Sequence, residues 1–370
     1  MTNKTKTLIF LSFTLFSKTL IEPFTIIFLN DKGYNSRLIL IYFLSRYILS
    51  FFILRLFPKL ENKFKHISLL LISNILLCIS FVFLKYSDNS ILNLGIFSIL
   101  QTIYTYLYIL AKNRYIFTFL DTKHSKDSAK LIIIVSSIAV IPTSLIGAFV
   151  LDIFSINVLI GTSFIISLLG LIPLFLINEK IENTNENIQN ILKGIDYHNK
   201  ILLFLDQGKL IFISILPLYI FNEVKDSFEY IGFFNLIIGI TSVIATYFIT
   251  NKIDKKKDLL AISSILLTLI ITLKLSINQP YLFLIFALIE GIIFKIHDFS
   301  MIRNIFVLSS SHETFSYNLA LEYFYNISRC ILMFIFIFIG NIKIILYICI
   351  FLIFGEAFLK FRYQKNKSMI

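Results

Sequence analysis

The chain has 370 residues, of which 57% are hydrophobic and only 15% are charged, and its mean hydropathy is +0.83. Apolar runs of about twenty residues recur from end to end, which excludes a soluble catalytic domain and predicts an all-α, polytopic membrane protein. A formal charge of +12 would by itself suit nucleic acid or an anionic surface, so the positions of the charges must decide what it means.

Twelve segments are apolar and long enough to span a bilayer as helices, six before a polar stretch at 178–200 and six after it. The seventh is the least regular, because Asp206, Gln207 and Lys209 lie in its first half, and it is expected to begin late or to be broken. The predicted spans are 7–29, 38–57, 67–85, 91–111, 131–150, 153–177, 201–221, 228–250, 259–278, 281–299, 317–339 and 342–361.

The basic residues are sorted by membrane side. Of the 34 lysines and arginines, 23 fall on the side of the N-terminus, 5 on the opposite side and 6 inside spans. Basic loops remain in the cytoplasm, so both termini are expected there, in the cell inner (plasma) membrane. The net charge is thereby explained as a topology signal, and no nucleic-acid partner is needed.

Two stretches of the chain are similar to later stretches at one offset. A shift of 192 positions aligns 28–31 with 220–223 and also 62–65 with 254–257, and a shift of 189 aligns 114–117 with 303–306. Chance similarity in a chain of few residue types is the alternative. Duplication predicts two six-helix halves, 1–177 and 201–370, joined by a cytoplasmic linker at 178–200.

The sequence resembles the major facilitator superfamily over nearly its whole length. That family carries a loop pattern close to Gly-x-x-x-Asp-Arg-x-Gly-Arg-Lys between helices 2 and 3, and again between helices 8 and 9. Here Pro58 and Thr250 replace the first glycine, so the match is degenerate, and plain positive-inside anchoring is the simpler interpretation. The positions that follow the pattern are Asn62, Lys63 and Lys65 in the first loop and Asp254, Lys255 and Lys257 in the second.

Charged residues inside the spans are the candidates for function, because a charge within the bilayer needs a partner or water. Lys18 and Glu22 share a face of helix 1 beside Pro23, either as a closed ion pair or as a site for protons or substrate. Glu290 on helix 10 is expected either to take up a proton or to bond a neighbouring helix. The resemblance implies that these helices line a central cavity, together with Gln101 and Tyr104 on helix 4.

A polar stripe runs along the predicted helix 11 at spacings of three and four. The resemblance makes helices 2 and 11 neighbours, so Arg46 and Glu322 are a possible gate pair. The alternative is a contact within helix 11, from Glu322 to Arg329 through Asn326, which serves only to hold helices together. The stripe consists of Asn318, Glu322, Tyr325, Asn326 and Arg329.

Three further patterns concern prolines, glycines and metal ligands. Pro23 and Pro217 interrupt corresponding helices of the two halves, which indicates a site near the bilayer midplane. No two glycines are four residues apart, so close Gly-x-x-x-Gly helix crossings are not expected, and serine or alanine is expected to serve in their place. The five histidines are expected to be solvated, and neither they nor the three cysteines have metal-ligand spacing, so no metal and no cofactor is expected.

The favoured function is secondary active transport of a small molecule by alternating access, coupled to protons, by a monomer in the lipid bilayer. The many aromatic and aliphatic residues, with few polar groups among them, favour efflux of amphipathic or hydrophobic cargo over transport of a sugar. Two alternatives remain open: a membrane-embedded transferase that uses Asp121 and His124 in the segment 112–130, and a degenerate, non-transporting relative that acts as a sensor. No phosphate-binding loop for ATP occurs in the sequence, so energy is expected to come from a gradient.

Overall fold

The computed structural model describes residues 3–87, 90–119, 141–176, 195–249, 259–277, 279–308 and 314–367. Within these ranges all regular secondary structure is helical. The helices are α1 (Asn3–Asp31), α2 (Ser36–Lys63), α3 (His66–Lys85), α4 (Ile91–Phe119), α5 (Ile141–Ile153), α6 (Ile156–Phe175), α7 (Tyr197–Tyr219), α8 (Phe228–Ile249), α9 (Leu259–Ser276), α10 (Pro280–Leu308), α11 (Thr314–Ile339) and α12 (Ile342–Lys367).

Ten of these helices have the length and hydropathy of membrane spans. The two outside that count are α5, a shorter apolar helix in its described part, and α10, which has 29 residues and carries Glu290, Lys295 and Asp298. Large apolar side chains such as Phe52, Ile165 and Phe351 are 58–71% exposed on the outside of the bundle. Because every backbone group of a helix is bonded internally, this apolar surface suits lipid, and the predicted multi-pass helical protein is confirmed.

Polar residues cap the N-termini of several helices. Asn35 accepts a hydrogen bond from the backbone of Leu38 and so caps α2, and Asp196 caps α7 in the same way. The turn between α11 and α12 needs Gly340, whose φ of +65° is strained for any residue with a Cβ. Asn341 follows it and caps α12.

The seventh helix differs from its prediction. It begins at Tyr197, before the expected start, and runs unbroken through Asp206, Gln207 and Lys209, because all three polar side chains are buried with partners. Asp206 pairs with Lys209 on the same helix, whereas Gln207 and Lys209 also bind side chains of other helices. The change of geometry comes after Pro217, where the segment Ile220–Val224 forms a π-helical turn. The expectation that the helix begins late was therefore wrong.

Helix packing follows one pattern twice. In the first half α1 packs on α6, α4 packs on α2 and α3, and α3 packs on α6. In the second half α7 packs on α12, α10 packs on α8 and α9, and α9 packs on α12. The second set of pairs is the first set with each helix number raised by six. The halves meet where α2 packs on α11, α1 on α7 and α5 on α8.

Single glycines lie at close helix crossings, where the sequence suggested serine or alanine. A Cβ added at Gly232 on α8 would lie 2.7 Å from the Cβ of Ala148 on α5. One added at Gly291 on α10 would overlap the Thr241 hydroxyl of α8 and lie 2.8 Å from the Ile238 carbonyl oxygen. One glycine at a crossing, without a second four residues away, is sufficient to bring two backbones together.

Candidate central cavity

A cavity of about 520 Å³ lies between the two halves. Helices α1 to α4 of the first half and α7, α8 and α11 of the second half line it. Lys18, on its wall, is the midpoint of the Thr5–Asp31 span, so the cavity reaches the middle of the helices. Pro23 and Pro217 both line it, as their matched positions in the two halves indicated.

Lys18 and Glu22 form an ion pair on the cavity wall. Their charged atoms are 3.3 Å apart, and their side chains are 24% and 54% exposed. The i, i+4 spacing on α1 brings the two side chains together, and Pro23 follows directly. The closed pair and the cavity position, which the sequence offered as alternatives, occur together.

Arg46 lines the cavity but does not pair with Glu322. Its guanidinium donates two long hydrogen bonds of 3.3 Å, one to the Tyr42 hydroxyl and one to the Thr105 hydroxyl, and lies 5.6 Å from the centre of the Tyr42 ring. Among the described residues no carboxylate is close enough to form an ion pair with it. The predicted gate pair is therefore absent from this conformation.

The polar stripe of α11 joins that helix to α4 and α7. Asn326 accepts a hydrogen bond of 2.5 Å from the Tyr106 hydroxyl on α4 and donates to the backbone carbonyl of Glu322. Arg329 donates its Nε hydrogen to Gln207 on α7 at 2.8 Å. The alternative contact from Glu322 to Arg329 within α11 is also not formed, because Asn326 and Arg329 bind side chains of α4 and α7 instead.

Of the remaining residues that were predicted to line the cavity, some do and some do not. Glu322 lines the cavity, and its carboxylate forms no hydrogen bond or ion pair with any residue in the described ranges. Gln101 also lines the cavity and donates to the Ser80 hydroxyl at 2.8 Å. Tyr104 does not belong there, because it is fully buried and stacked on Tyr108 with ring centres 5.7 Å apart.

Glu290 lies away from the cavity lining. It accepts a 2.5 Å hydrogen bond from Lys274 on α9, and both side chains are fully buried. The alternative prediction, a bond to a neighbouring helix, describes its position, and the expected cavity position was wrong. Three aromatic rings surround the Lys274 ammonium at 4.8–5.6 Å, those of Phe212, Phe234 and Phe283.

A second buried charge cluster joins α7, α10 and α12, and the sequence reading missed it. Lys209 is its centre, with distances of 2.8 Å to Asp298, 3.0 Å to Asp206 and 3.0 Å to His297 Nδ1. The other ring nitrogen of His297 lies 2.9 Å from the Glu356 carboxylate. His297 is fully buried, so its predicted solvated position was wrong.

The same cluster contains ligand atoms that a metal ion would accept. Atoms of Asp206, His297 and Glu356 lie within 4.8 Å of one another. Lys209, however, already places its ammonium 3.0 Å from both Asp206 and His297. An internal cation thus occupies the position between these groups that a metal would need.

The loop motif is only partly described. Lys63 ends α2 and Lys65 precedes α3, and both side chains are exposed, as a basic loop requires. Asn62 lies in the last turn of α2, but its side chain is outside the described residues. The same holds for the whole second copy of the motif, Asp254, Lys255 and Lys257, and for Asp121 and His124.

Comparison with solved structures shows which fold the chain has. A crystal structure of a D-xylose-proton symporter matches this structure with a TM-score of 0.71, at 14% sequence identity, over 96% of each chain. No protein-family model matches the sequence, and no curated protein matches it. At this identity the likeness concerns the fold alone. The chain has the fold of that symporter, which is the major facilitator fold that its sequence resembles.

Proposed function

We propose that the protein is a secondary active transporter that moves a small molecule by alternating access and couples that movement to protons. The observation that carries the proposal is the central cavity, which is lined by charged side chains from both halves at the middle of the spans. A charged cavity between two helical bundles is where transporters of this architecture bind substrate. The fold shared with a proton-coupled symporter supports the same conclusion.

The two halves are proposed as 1–177 and 201–370, joined by the linker 178–200, with twelve spans in total. The repeated packing pattern supports this division, since each helix pair of the first half has a counterpart in the second. The excess of basic residues on the side of the N-terminus supports cytoplasmic termini in the inner membrane. We propose a monomer, because one chain supplies both halves and encloses the cavity.

Glu22 is the first candidate for proton coupling. Its carboxylate is half-exposed on the cavity wall, and protonation would remove the charge that holds Lys18 at 3.3 Å. Glu290 is the second candidate, although its buried bond to Lys274 gives it no direct path to the cavity lining. A carboxyl that exchanges a proton during transport must lose its counter-charge at one step of the cycle, and Glu22 needs the smaller rearrangement.

The α11 network is proposed to hold the halves together in this conformation. Tyr106 and Asn326 bond across the halves at 2.5 Å, whereas Arg329 fastens α11 to Gln207 of α7. Opening the cavity on that side must break the Tyr106 bond. Arg46 and Glu322 lie on the same wall without a mutual bond, so they are free to pair in another conformation. The exposed lysines of the loop motif are proposed as topology anchors.

Transport can be tested in proteoliposomes with an imposed pH gradient and a panel of radiolabelled sugars, sugar acids, amino acids and nucleosides. At least one compound is expected to accumulate only while the gradient lasts, and a protonophore should abolish its accumulation. Glu22→Gln is expected to abolish accumulation while leaving exchange of labelled for unlabelled substrate. Glu229→Gln, on an exposed carboxyl of α8, is the matched control and should behave as wild type.

Glu290 needs a paired variant, because Glu290→Gln alone leaves a buried ammonium without its counter-charge. The double variant Lys274→Met with Glu290→Gln removes both charges together. Retained accumulation in the double variant would assign the pair a structural role. If no compound responds to the gradient in the wild type, or if accumulation survives both Glu22→Gln and the double variant, the coupling proposal is wrong.

A further inference from the structure

We infer that the substrate carries a negatively charged group, a carboxylate or a phosphate, which binds the guanidinium of Arg46 inside the central cavity. The inference rests on the proposed function, because it takes this cavity as the substrate site. It departs from the expectation of an amphipathic or hydrophobic cargo, since five charged side chains line the cavity wall.

The charge balance of the cavity is positive. Three cations line it, Lys18, Arg46 and Arg329, against two carboxylates, Glu22 and Glu322. Lys18 and Glu22 are 3.3 Å apart and neutralise each other. What remains is two guanidinium groups against one carboxylate, so a ligand with one negative charge would bring the cavity to neutrality.

Arg46 has the donor capacity that an anion needs. A guanidinium has five N–H donors in a planar fork that matches carboxylate and phosphate oxygens. Here it uses two of them, in 3.3 Å bonds to the neutral hydroxyls of Tyr42 and Thr105. A cation within the bilayer that has no counter-charge is costly unless it faces water or a ligand. The position of Arg46 on the cavity wall is consistent with that requirement.

Arg329 plays a different part. Its Nε hydrogen is used by Gln207 at 2.8 Å, and its guanidinium lies 5.6–5.7 Å from the ring centres of Tyr47 and Tyr325. These contacts fix it in the wall, so it adds positive potential without being the first ligand group. Arg46, which has only long bonds to hydroxyls, is the group that gains most from a bound anion.

Glu322 is the feature that argues for the opposite charge. Its carboxylate has no partner among the described residues and would attract an amine. One carboxylate against two guanidinium groups still leaves the sum positive, so an anion is favoured over a cation of the same size. An amine substrate is therefore the competing outcome of the test.

The size and walls of the cavity limit the body of the substrate. A volume of about 520 Å³ falls within the usual range of about 300–1,000 Å³ for small-molecule sites. Phe43, Phe81 and Phe97 contribute apolar wall, and Gln101 contributes an amide. An organic acid or organic phosphate with a body of roughly one ring fits this combination better than an inorganic ion.

Binding can be measured on the purified full-length protein in detergent, without any gradient, using two matched sets of probes. The first set is gluconate, sorbitol and glucamine, which share a six-carbon polyol skeleton and differ in charge. The second set is benzoate, benzyl alcohol and benzylamine. In at least one set the anion is expected to bind about tenfold or more tightly than the neutral member, as a charge-assisted hydrogen bond would give.

Three variants locate the effect. Arg46→Gln should abolish the preference for the anion, whereas Arg46→Lys should retain part of it, because the charge remains and the fork is lost. Arg55→Gln, an exposed arginine on the same helix, should keep the preference. Thermal melting of each ligand-free variant shows whether it is folded. If Arg46→Gln does not fold, the anion preference of Arg46→Lys is the result that tests the inference.

Three outcomes would overturn the inference: neutral members that bind as well as the anions in both sets, a preference for the amines, or an anion preference that survives in a folded Arg46 variant lacking the charge. A protein that binds anions with this preference but moves nothing in proteoliposomes would refute the transport proposal and leave the binding inference standing. Transport of neutral compounds alone would support the transport proposal and refute the inference that the substrate is an anion.

Discussion

The Lys274–Glu290 pair allows a quantitative test of how charges are held inside this bundle. Both side chains are fully buried and joined at 2.5 Å, so neither can reach water when its partner is removed. Breaking a buried ion pair on one side costs about 3–5 kcal/mol, because an uncompensated charge remains. Replacing both partners by residues of similar volume costs far less.

The test is a double-mutant cycle with Lys274→Met, Glu290→Gln and the two combined. Each single variant is expected to lose about 3–5 kcal/mol of unfolding free energy and the double variant about 1–2 kcal/mol, which gives a coupling energy of at least about 4 kcal/mol. Interhelical hydrogen bonds in membrane proteins average only about 0.6 kcal/mol in such cycles. The coupling energy therefore separates an ion pair from an ordinary polar contact.

Unfolding can be followed with a thiol-reactive dye, because the chain has no tryptophan and its three cysteines are free, with Cys78 and Cys349 buried. Titration with SDS then gives the free energies. Lys225→Met removes an exposed lysine outside the spans and should leave the transition unchanged. A coupling energy near 0.6 kcal/mol, or a double variant no more stable than the worse single variant, would refute the reasoning.

Three further substitutions test other contacts by the same assay. Lys209→Met should lower stability by about 3–5 kcal/mol, because it leaves the buried Asp206 carboxylate, and the partly exposed Asp298 carboxylate, without their cation; an unchanged SDS transition would contradict this. Gly291→Ala should cost about 1–3 kcal/mol by forcing α10 away from α8, and Thr241→Ala should restore little of it, because the overlap with the backbone remains. Tyr106→Phe should cost about 1–3 kcal/mol, because the side-chain amide oxygen of Asn326 (Oδ1) loses its 2.5 Å hydrogen-bond donor. Adding Asn326→Leu to the Tyr106→Phe variant should recover part of that loss, because it removes the unsatisfied polar group.

Much of the fold follows from the sequence because the bilayer imposes one strong rule on it. A span must be a helix of about twenty apolar residues, so hydropathy places the starts of α1 to α4 and α8 to α12 within four residues of the observed ones. It places the ends less well, because α2, α4, α10 and α12 continue six to nine residues beyond the apolar run. The seventh helix was misjudged at its start, since Asp206, Gln207 and Lys209 look like loop residues until their partners on other helices are known.

The site was predicted only in part, and the errors share a physical cause. Neighbours along one helix are fixed by the 3.6-residue period, so the contact between Lys18 and Glu22 was visible in the sequence. Partners on different helices depend on rotation and depth, which hydropathy does not give. The sequence therefore left open whether Glu290 exchanges a proton or bonds a neighbouring helix, and it did not identify Lys274 as the partner. It likewise offered Glu322 as a partner of Arg46, which binds hydroxyls instead.

One signal would have recovered more of the buried network. Lys274 and Glu356 each stand alone in a long apolar run, and the rule that such charges need partners applies to them as firmly as to Glu290. Applying it to every charge inside a span would have suggested Lys274 for Glu290. It would also have asked for a partner of Glu356, and His297 is one.

The pairing of Lys274 with Glu290 also bears on how the chain enters the membrane during synthesis. The two residues lie on consecutive helices, and α9 ends at Ser276 only a short turn before α10 begins at Pro280. A charge near the middle of a span, such as Glu290, would alone oppose passage from the translocon into lipid by about 2.5–3.5 kcal/mol. Lys274, in the last turn of α9, would oppose it less. A nascent hairpin of the two helices can neutralise both charges before any later segment emerges from the ribosome, so these helices are expected to partition into the bilayer as one unit.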